Sequence, residues 1–394
     1  MESHIYVWLE LLFRWAHFIT GIAWIGASFY FNWLENQLDR SADSNRDGIA
    51  GHLWAVHGGG FYYLEKYQVA PQSLPETLHW FKWEAYMTWV TGFVLLALVY
   101  YMSAESYLID SRVADLSVPV AIAIGLGTLV ASWLVYDQLC KSPLGNRPVA
   151  LAGVIAVLLM LLSFALTQVF GGRGAFIHVG AAIGTIMVAN VFFVIIPNQG
   201  DLVAAMREGR APDGAKGKAG LTRSRHNNYL TLPVLFIMIS NHYPGTYAHE
   251  LNWLVLALIM AGGVAIRHYF NVRHLPQKKV WILPVGAVLL LAAFFLTMPE
   301  PRPAPDTSKV ELGEPVETDE VWEIAETHCL ACHAADVRTG GIAFEGRKDL
   351  ERQASNIARV VGNHRMPPGN PTDMSEEERA KVERWYRGLQ EQQE

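Results

Sequence analysis

The sequence predicts an all-α chain: an eight-span transmembrane helical bundle followed by a small helical domain. Three observations carry this. Charge-poor apolar runs recur eight times before residue 298. Residues 1–298 hold 36 charged side chains, whereas the last 96 residues hold 32. Between them, Met298-Pro299-Glu300-Pro301-Arg302-Pro303-Ala304-Pro305 alternates prolines, which favours extended polyproline II and a semi-rigid linker. The domains are therefore 1–298 in the membrane, a linker 299–315, and a C-terminal domain 316–394. With 51% apolar and 17% charged residues the chain is no disordered polymer. Three cysteines exclude a disulfide scaffold, and a net charge of −6 without a basic block excludes nucleic acid as the main ligand.

A spanning helix needs ~20 mostly apolar residues. The runs that qualify are roughly Ile5–Leu34, Ala85–Ser103, Leu116–Tyr136, Pro148–Phe170, Ala175–Pro197, His226–His242, Leu251–Ile266 and Val280–Met298, the sixth and seventh being short. The first lacks the basic start of a cleavable signal and contains an acidic residue. With the N-terminus outside, the cytoplasmic loops 35–84, 137–147, 198–225 and 267–279 carry 16 basic residues, and the outer loops only Arg112 and Arg173. This bias places the N-terminus and the C-terminal domain on the periplasmic or extracellular face. Span one (His17–Gly21, then Asn36-Gln37) and span five (His178–Ala182, then Asn198-Gln199) are weakly alike, so a 4+4 repeat is one possible arrangement.

Cys329-Leu330-Ala331-Cys332-His333 is a CxxCH sequence. Its two thiols add across haem vinyl groups, and the adjacent histidine ligates the iron from one side. The sixth ligand is expected from Met366, 33 residues on in a Met-Pro-Pro-Gly loop, with Met374 as competitor. Ser375-Glu376-Glu377-Glu378 reads as a capping box opening the last helix, and Trp322 with Trp385 and Tyr386 would pack the first and last helices together. Residues 316–391 resemble the class I cytochrome c family.

Ionisable groups within a span are functional hypotheses. Span one has Glu10 and Arg14, a favourable helix pair, and His17 deeper in, with Gly21 one turn below leaving room for a flat macrocycle. His178 has Ala182 in the same relation. Imidazole is the usual haem ligand inside helical bundles, and a hydrogen-bonded packing histidine is the alternative. The cytoplasmic edge gathers His52–Tyr63 with Gly58, Gly59 and Gly60, then Leu78–Tyr86, then Arg223-Ser224-Arg225-His226-Asn227-Asn228-Tyr229. Consecutive glycines admit a ligand to the backbone, and arginine with asparagine amides suits a flat anionic ligand. Trp and Lys also anchor spans at the interface.

Taken together, His17–Gly21, Trp54–Tyr62, Leu78–Tyr86, Arg223–Tyr229 through Asn241-His242-Tyr243-Pro244, and Cys329–His333 resemble the bacterial membrane-bound urate hydroxylase (urate oxidase) family over the full chain. The resemblance implies an inner-membrane oxidoreductase of purine catabolism. It would convert urate to 5-hydroxyisourate with oxygen from water and pass electrons through the tethered cytochrome c to a respiratory acceptor. Urate is a planar monoanion. Arg223, Arg225, Asn228 and Gly58–Gly60 would bind it, and His57 or His226 would serve as base. A quinol:cytochrome c oxidoreductase, or a transporter or sensor with a regulatory cytochrome, are the other classes that fit.

Electrons would have to cross ~30 Å of hydrocarbon between the substrate cluster and the outer haem c, too far for one tunnelling step. With only Cys140 in the membrane part, an Fe–S cluster has no ligands there. A non-covalent haem b ligated by His17 and His178 is expected, with His242 in reserve; a second b haem has His52, His57, His79 or His268 available.

Overall fold

A computed structural model describes residues 2–41, 46–275, 279–298, 316–334, 342–367, 370 and 372–391. The expected linker 299–315 lies outside the described residues. The chain divides into two compact units, Glu2–Asn241 with Trp253–Phe295, and His242–Asn252 with Leu296–Glu394.

The first unit is built on helices α1 (Glu2–Gln37), α2 (Trp83–Leu95, continued by a π-helical segment Leu96–Tyr101), the short α3 (Ala104–Tyr107), α4 (Val118–Lys141), α5 (Pro148–Thr167), α6 (Gly172–Ala189, continued by a π-helical segment Asn190–Ile195), α7 (Ile196–Arg207), α8 (Gly214–Ser240), α10 (Asn252–Val272) and α11 (Ile282–Leu296). The single turn α9 (Pro244–Tyr247) belongs to the other unit. Five stretches are long and apolar enough to cross a membrane: Trp83–Tyr101, α4, α5, Gly172–Arg207 and α10. The other three apolar runs are helical as well. However, α1 carries Glu10 and Arg14, the first half of α8 is polar, and α11 has only 15 residues. α5 exposes Val149, Val157, Leu161 and Phe164, a pattern that water penalises and hydrocarbon does not.

α6 is the central helix. Most of its length is buried, against α4, α5 and α8. Small residues bring the axes close: a Cβ on Gly180 would lie 2.5 Å from Ile237 of α8, and one on Gly125 of α4 would lie 2.6 Å from the His178 ring. α1 packs on α2, where Tyr6 donates to the Leu98 carbonyl.

The expectation of an all-α fold needs one correction. Strands β1 (Ile49–His57) and β2 (Gly60–Tyr67) form an antiparallel hairpin, with Trp54 opposite Tyr63, Val56 opposite Phe61 and His57 opposite Gly60. Gly58 and Gly59 make the two-residue turn at φ +58° and +79°, a backbone region that favours glycine.

The second unit contains α12 (Thr318–His328), α13 (Leu330–His333), α14 (Arg347–Arg352), α15 (Ala354–Gly362) and α16 (Glu376–Glu391). Its core joins Val321, Ile324, Leu350, Ile357, Val361, Val382 and Trp385, with Trp322 and Tyr386 packed against it. The Trp385 indole donates to the Thr318 hydroxyl at 3.0 Å, tying the last helix to the first. The expected capping box forms: the Glu378 N–H donates to Ser375 Oγ at 3.2 Å, and the Ser375 N–H donates to Glu378 Oε2 at 2.7 Å.

That backbone donor holds the Glu378 carboxyl below the usual carboxylate range. A folded pKa below the unfolded one means the contribution is complete above the ordinary carboxylate pKa and is lost as pH falls through the lowered value. Ser375→Ala should cost about 1 kcal/mol. Glu378→Gln should flatten the acid limb of thermal stability, read by melts of the C-terminal unit's signal across the acid range.

Candidate functional site

Two buried polar clusters meet at α8. The first faces α4 and the segment after α6. Arg223 donates to Asp137 Oδ1 at 2.8 Å, both side chains being nearly inaccessible, and Lys141 holds the other carboxylate oxygen at 2.6 Å. Arg223 also donates to Asn190 Oδ1 at 3.1 Å and lies over the Tyr136 ring, 5.1 Å from its centroid. An arginine can only donate, so the Asn190 oxygen faces it and the Asn190 amide donates to Tyr136 Oη (3.1 Å) and Asn227 Oδ1 (2.9 Å). Tyr136 Oη is also hydrogen-bonded to His226 Nδ1 at 2.7 Å, so the imidazole expected as base is joined to this network. Asn190 sits where α6 becomes π-helical; such segments often mark functional positions.

The second cluster faces α1 and α10. Asn228 Oδ1 accepts from Arg267 Nε at 2.9 Å and from Asn271 Nδ2 at 2.8 Å. The Arg267 guanidinium lies 3.9 Å from the centroid of Phe29 on α1. The Asn271 carbonyl accepts from Asn36 at 3.1 Å, fixing α1 to α10. Beside it, Tyr229 is bonded to His268 at 2.8 Å. Sequence reading missed Arg267, counting it only as a loop charge.

The expected substrate cluster is thus divided. Arg223 is compensated by Asp137. Arg225, two positions on in a helix, points off that face and is exposed. His57, Gly58 and Gly59 are at the exposed hairpin tip, where a Cβ on either glycine would meet nothing and the glycines serve the turn. Gly60 pairs with His57 and adjoins the Tyr62 ring. Asn228 is fully buried.

The urate oxidase N-terminal family model matches residues 3–298. The chain belongs to this family. No curated protein and no solved structure matches it.

Within the family domain, the histidines expected to hold haem b differ. His17 Nδ1 donates to the Thr88 carbonyl at 2.9 Å and lies 3.1 Å from Thr91 Oγ1, on the α1–α2 seam opened by Gly92. Nε2 keeps its lone pair, as an iron ligand requires. His178 Nδ1 donates to the Gly174 carbonyl at 2.8 Å, but Nε2 accepts from Tyr101 at 3.2 Å and abuts Gly125, with the residue wholly buried. In this arrangement the Tyr101 hydroxyl engages the nitrogen that an iron would need, so only His17 of the expected pair presents an uncommitted ring nitrogen. Of the further candidates, His242 and His79 are exposed, and His52 lies 5.7 Å from Tyr63 on the hairpin.

In the C-terminal unit the donor set fits a covalent haem. Cys329 and Cys332 form no disulfide, and the Cys329 thiol is pushed up to about 11 by burial and by Cys332. His333 Nδ1 donates to the Ile342 carbonyl at 3.2 Å, leaving Nε2 for iron. Met366 is half-buried against the same core as Cys329 and Leu330, while Met374 is locked in the core with its backbone held on both sides by Asn370. Met366 is the available sulfur. Residues 335–341, between the motif and that carbonyl, lie outside the described residues.

Removing one partner of a buried pair strands the other, costing about 3–5 kcal/mol. Arg223→Met should therefore destabilise the first unit by at least about 3 kcal/mol, and Arg223→Met/Asp137→Leu should recover most of it. Thermal melts in detergent of the two singles and the double check this; simple additivity of the single losses would contradict it.

Proposed function

We propose that the chain is a membrane-bound urate hydroxylase. The match of residues 3–298 to the urate oxidase N-terminal family carries the reading. The CxxCH unit supports a cytochrome exit for the electrons: Cys329 and Cys332 would hold haem c covalently, and His333 and Met366 would ligate its iron. When bound, haem c supplies a one-electron carrier whose potential the methionine sulfur raises. The overall reaction takes urate and water to 5-hydroxyisourate, two protons and two electrons: the water oxygen bonds to C5, and the electron pair leaves for a respiratory acceptor.

The chain's own residues bind and orient. A flat monoanion in a bundle interior needs fixed donors and an aromatic wall, and α8 supplies such groups on two faces. His226, bonded through Nδ1 to Tyr136, is the candidate base. Its Nδ1, reached through the Tyr136 hydroxyl, is the basic atom of that pair, so a proton taken up by Tyr136 Oη can pass its partner on to His226. All eight helical runs cross the bilayer in this reading. Leaving out the buried Arg223 and Arg267, fourteen basic residues on the inner segments against Arg112 and Arg173 on the outer ones support an inner-membrane protein with the C-terminal unit in the periplasm.

Anaerobic urate should reduce the haem c of the purified full-length protein, and water enriched in heavy oxygen should label the product. Met366→Ala should remove the sulfur-to-iron band and slow urate-dependent reduction. Reduction by a quinol but not by urate would replace this reading with a quinol:cytochrome c oxidoreductase.

A further inference from the structure

The two buried arginines of the membrane unit are not alike. Arg223 has Asp137, whereas Arg267 is 9% exposed and has no carboxylate among the described residues. Its Nε is taken by Asn228 and one guanidinium face is covered by Phe29; neither Nη has a protein acceptor there. A cation out of water without an anion is costly, by several kcal/mol even after relaxation. The neighbouring amide has the same deficit. Arg267 and Asn271 both donate to Asn228 Oδ1, which fixes the amide orientation. Its Nδ2 is then a donor with no partner, in a residue that is fully buried. A buried donor left unmet costs about 1–3 kcal/mol. Two deficits of the same sign, on adjacent helices, call for one ligand that is anionic and rich in acceptors.

We propose that Arg267 and Asn228 form the anion-recognition subsite of the membrane unit, taking a planar heteroaromatic anion by its acceptor edge; on the proposed function that anion is urate. The guanidinium fork presents parallel N–H groups that match a carbonyl oxygen beside a deprotonated ring nitrogen. The Asn228 amide takes a further acceptor on the same edge. Phe29 and Asn271 are positioning residues: the ring holds the guanidinium plane, and Asn271 holds the Asn228 oxygen. Arg223, already neutralised, organises the other face of α8 and takes no part in the charge recognition.

The discriminating variant is Asn228→Asp. It places a carboxylate on the guanidinium, so a merely structural Arg267 would gain an ion pair, whereas a ligand-binding one would lose its free charge. Equilibrium dialysis of labelled urate under anaerobic conditions, with full-length protein in detergent, reads the affinity; orotate, nicotinate and xanthine serve as comparison anions. Arg267→Gln should weaken urate binding at least about tenfold, the effect of losing a charged hydrogen bond. Asn228→Asp should weaken it at least as much while raising the melting temperature, and Arg267→Lys should retain part of the affinity. If Arg267→Gln does not fold, Asn228→Asp decides alone. Wild-type affinity for urate in Asn228→Asp overturns the subsite and leaves the urate reading standing. Binding of another of these anions but not urate, lost in Asn228→Asp, upholds the subsite and overturns the urate reading. No binding of any of them by the wild type overturns both.

Discussion

The Arg223–Asp137 pair is the constraint around which the first unit is arranged. In a low-dielectric interior the attraction at 2.8 Å is strong, but neither ion survives there without filling its remaining valences. Asp137 takes Lys141 on its second oxygen, and Arg223 takes Asn190. Asn190 is thereby oriented, Tyr136 is oriented by Asn190, and Tyr136 in turn holds the His226 ring. One pair on α4 and α8 thus sets side chains on three elements and positions an imidazole that neither ion touches. The π-helical register after α6 is where Asn190 enters this chain.

Much of the fold was legible because hydrocarbon-compatible runs leave few alternatives to helix. Each of the eight charge-poor stretches lies largely within a helix, several bounded within three residues of expectation. The exception in extent is α8, which begins at Gly214 and not near His226. Hydropathy sees only its apolar half; Lys216 to Arg225 are helical through an N-cap at Asp213 and through contacts with α7, neither of which a hydropathy window registers. The hairpin was announced by a Gly-Gly pair between Leu53-Trp54-Ala55-Val56 and Phe61-Tyr62-Tyr63-Leu64, a turn signal read as a ligand loop because the runs lack a clean apolar–polar alternation.

The candidate site was legible in composition and not in pairing. Sequence places Arg223, His226, Asn227 and Asn228 together; the first three share the face toward α4 and α6, whereas Asn228 turns to Arg267 and Asn271. It could not show that Arg223 is neutralised from α4, 86 positions away, or that Arg225 faces outward by helical phase alone. Arg267 carried a signal that was used for another purpose, as evidence of orientation. His17 and His178 look equivalent in sequence. Both donate Nδ1–H to a carbonyl and both press on a glycine of a neighbouring helix, but only at His178 does a tyrosine occupy the second nitrogen.

The C-terminal unit applies the same economy to a different end. Arg379, buried on α16, donates to the carbonyls of Val361 and Met366 at 2.9 and 2.8 Å, so the segment that carries the proposed sulfur ligand is tied to the last helix at the residue itself. The start of that helix is fixed by Ser375 and Glu378, and its far half by Trp385 on Thr318 of the first helix. His333 is held from the other side by the Ile342 carbonyl, next to Phe344 of the same core. A thioether is a weak ligand that gains little by seeking its iron from a mobile loop, because ordering the loop would offset the bond. With both proposed iron donors held beside one hydrophobic core, that ordering cost would be met in folding, and the preference for one redox state over the other would be left to the sulfur and to the burial around it.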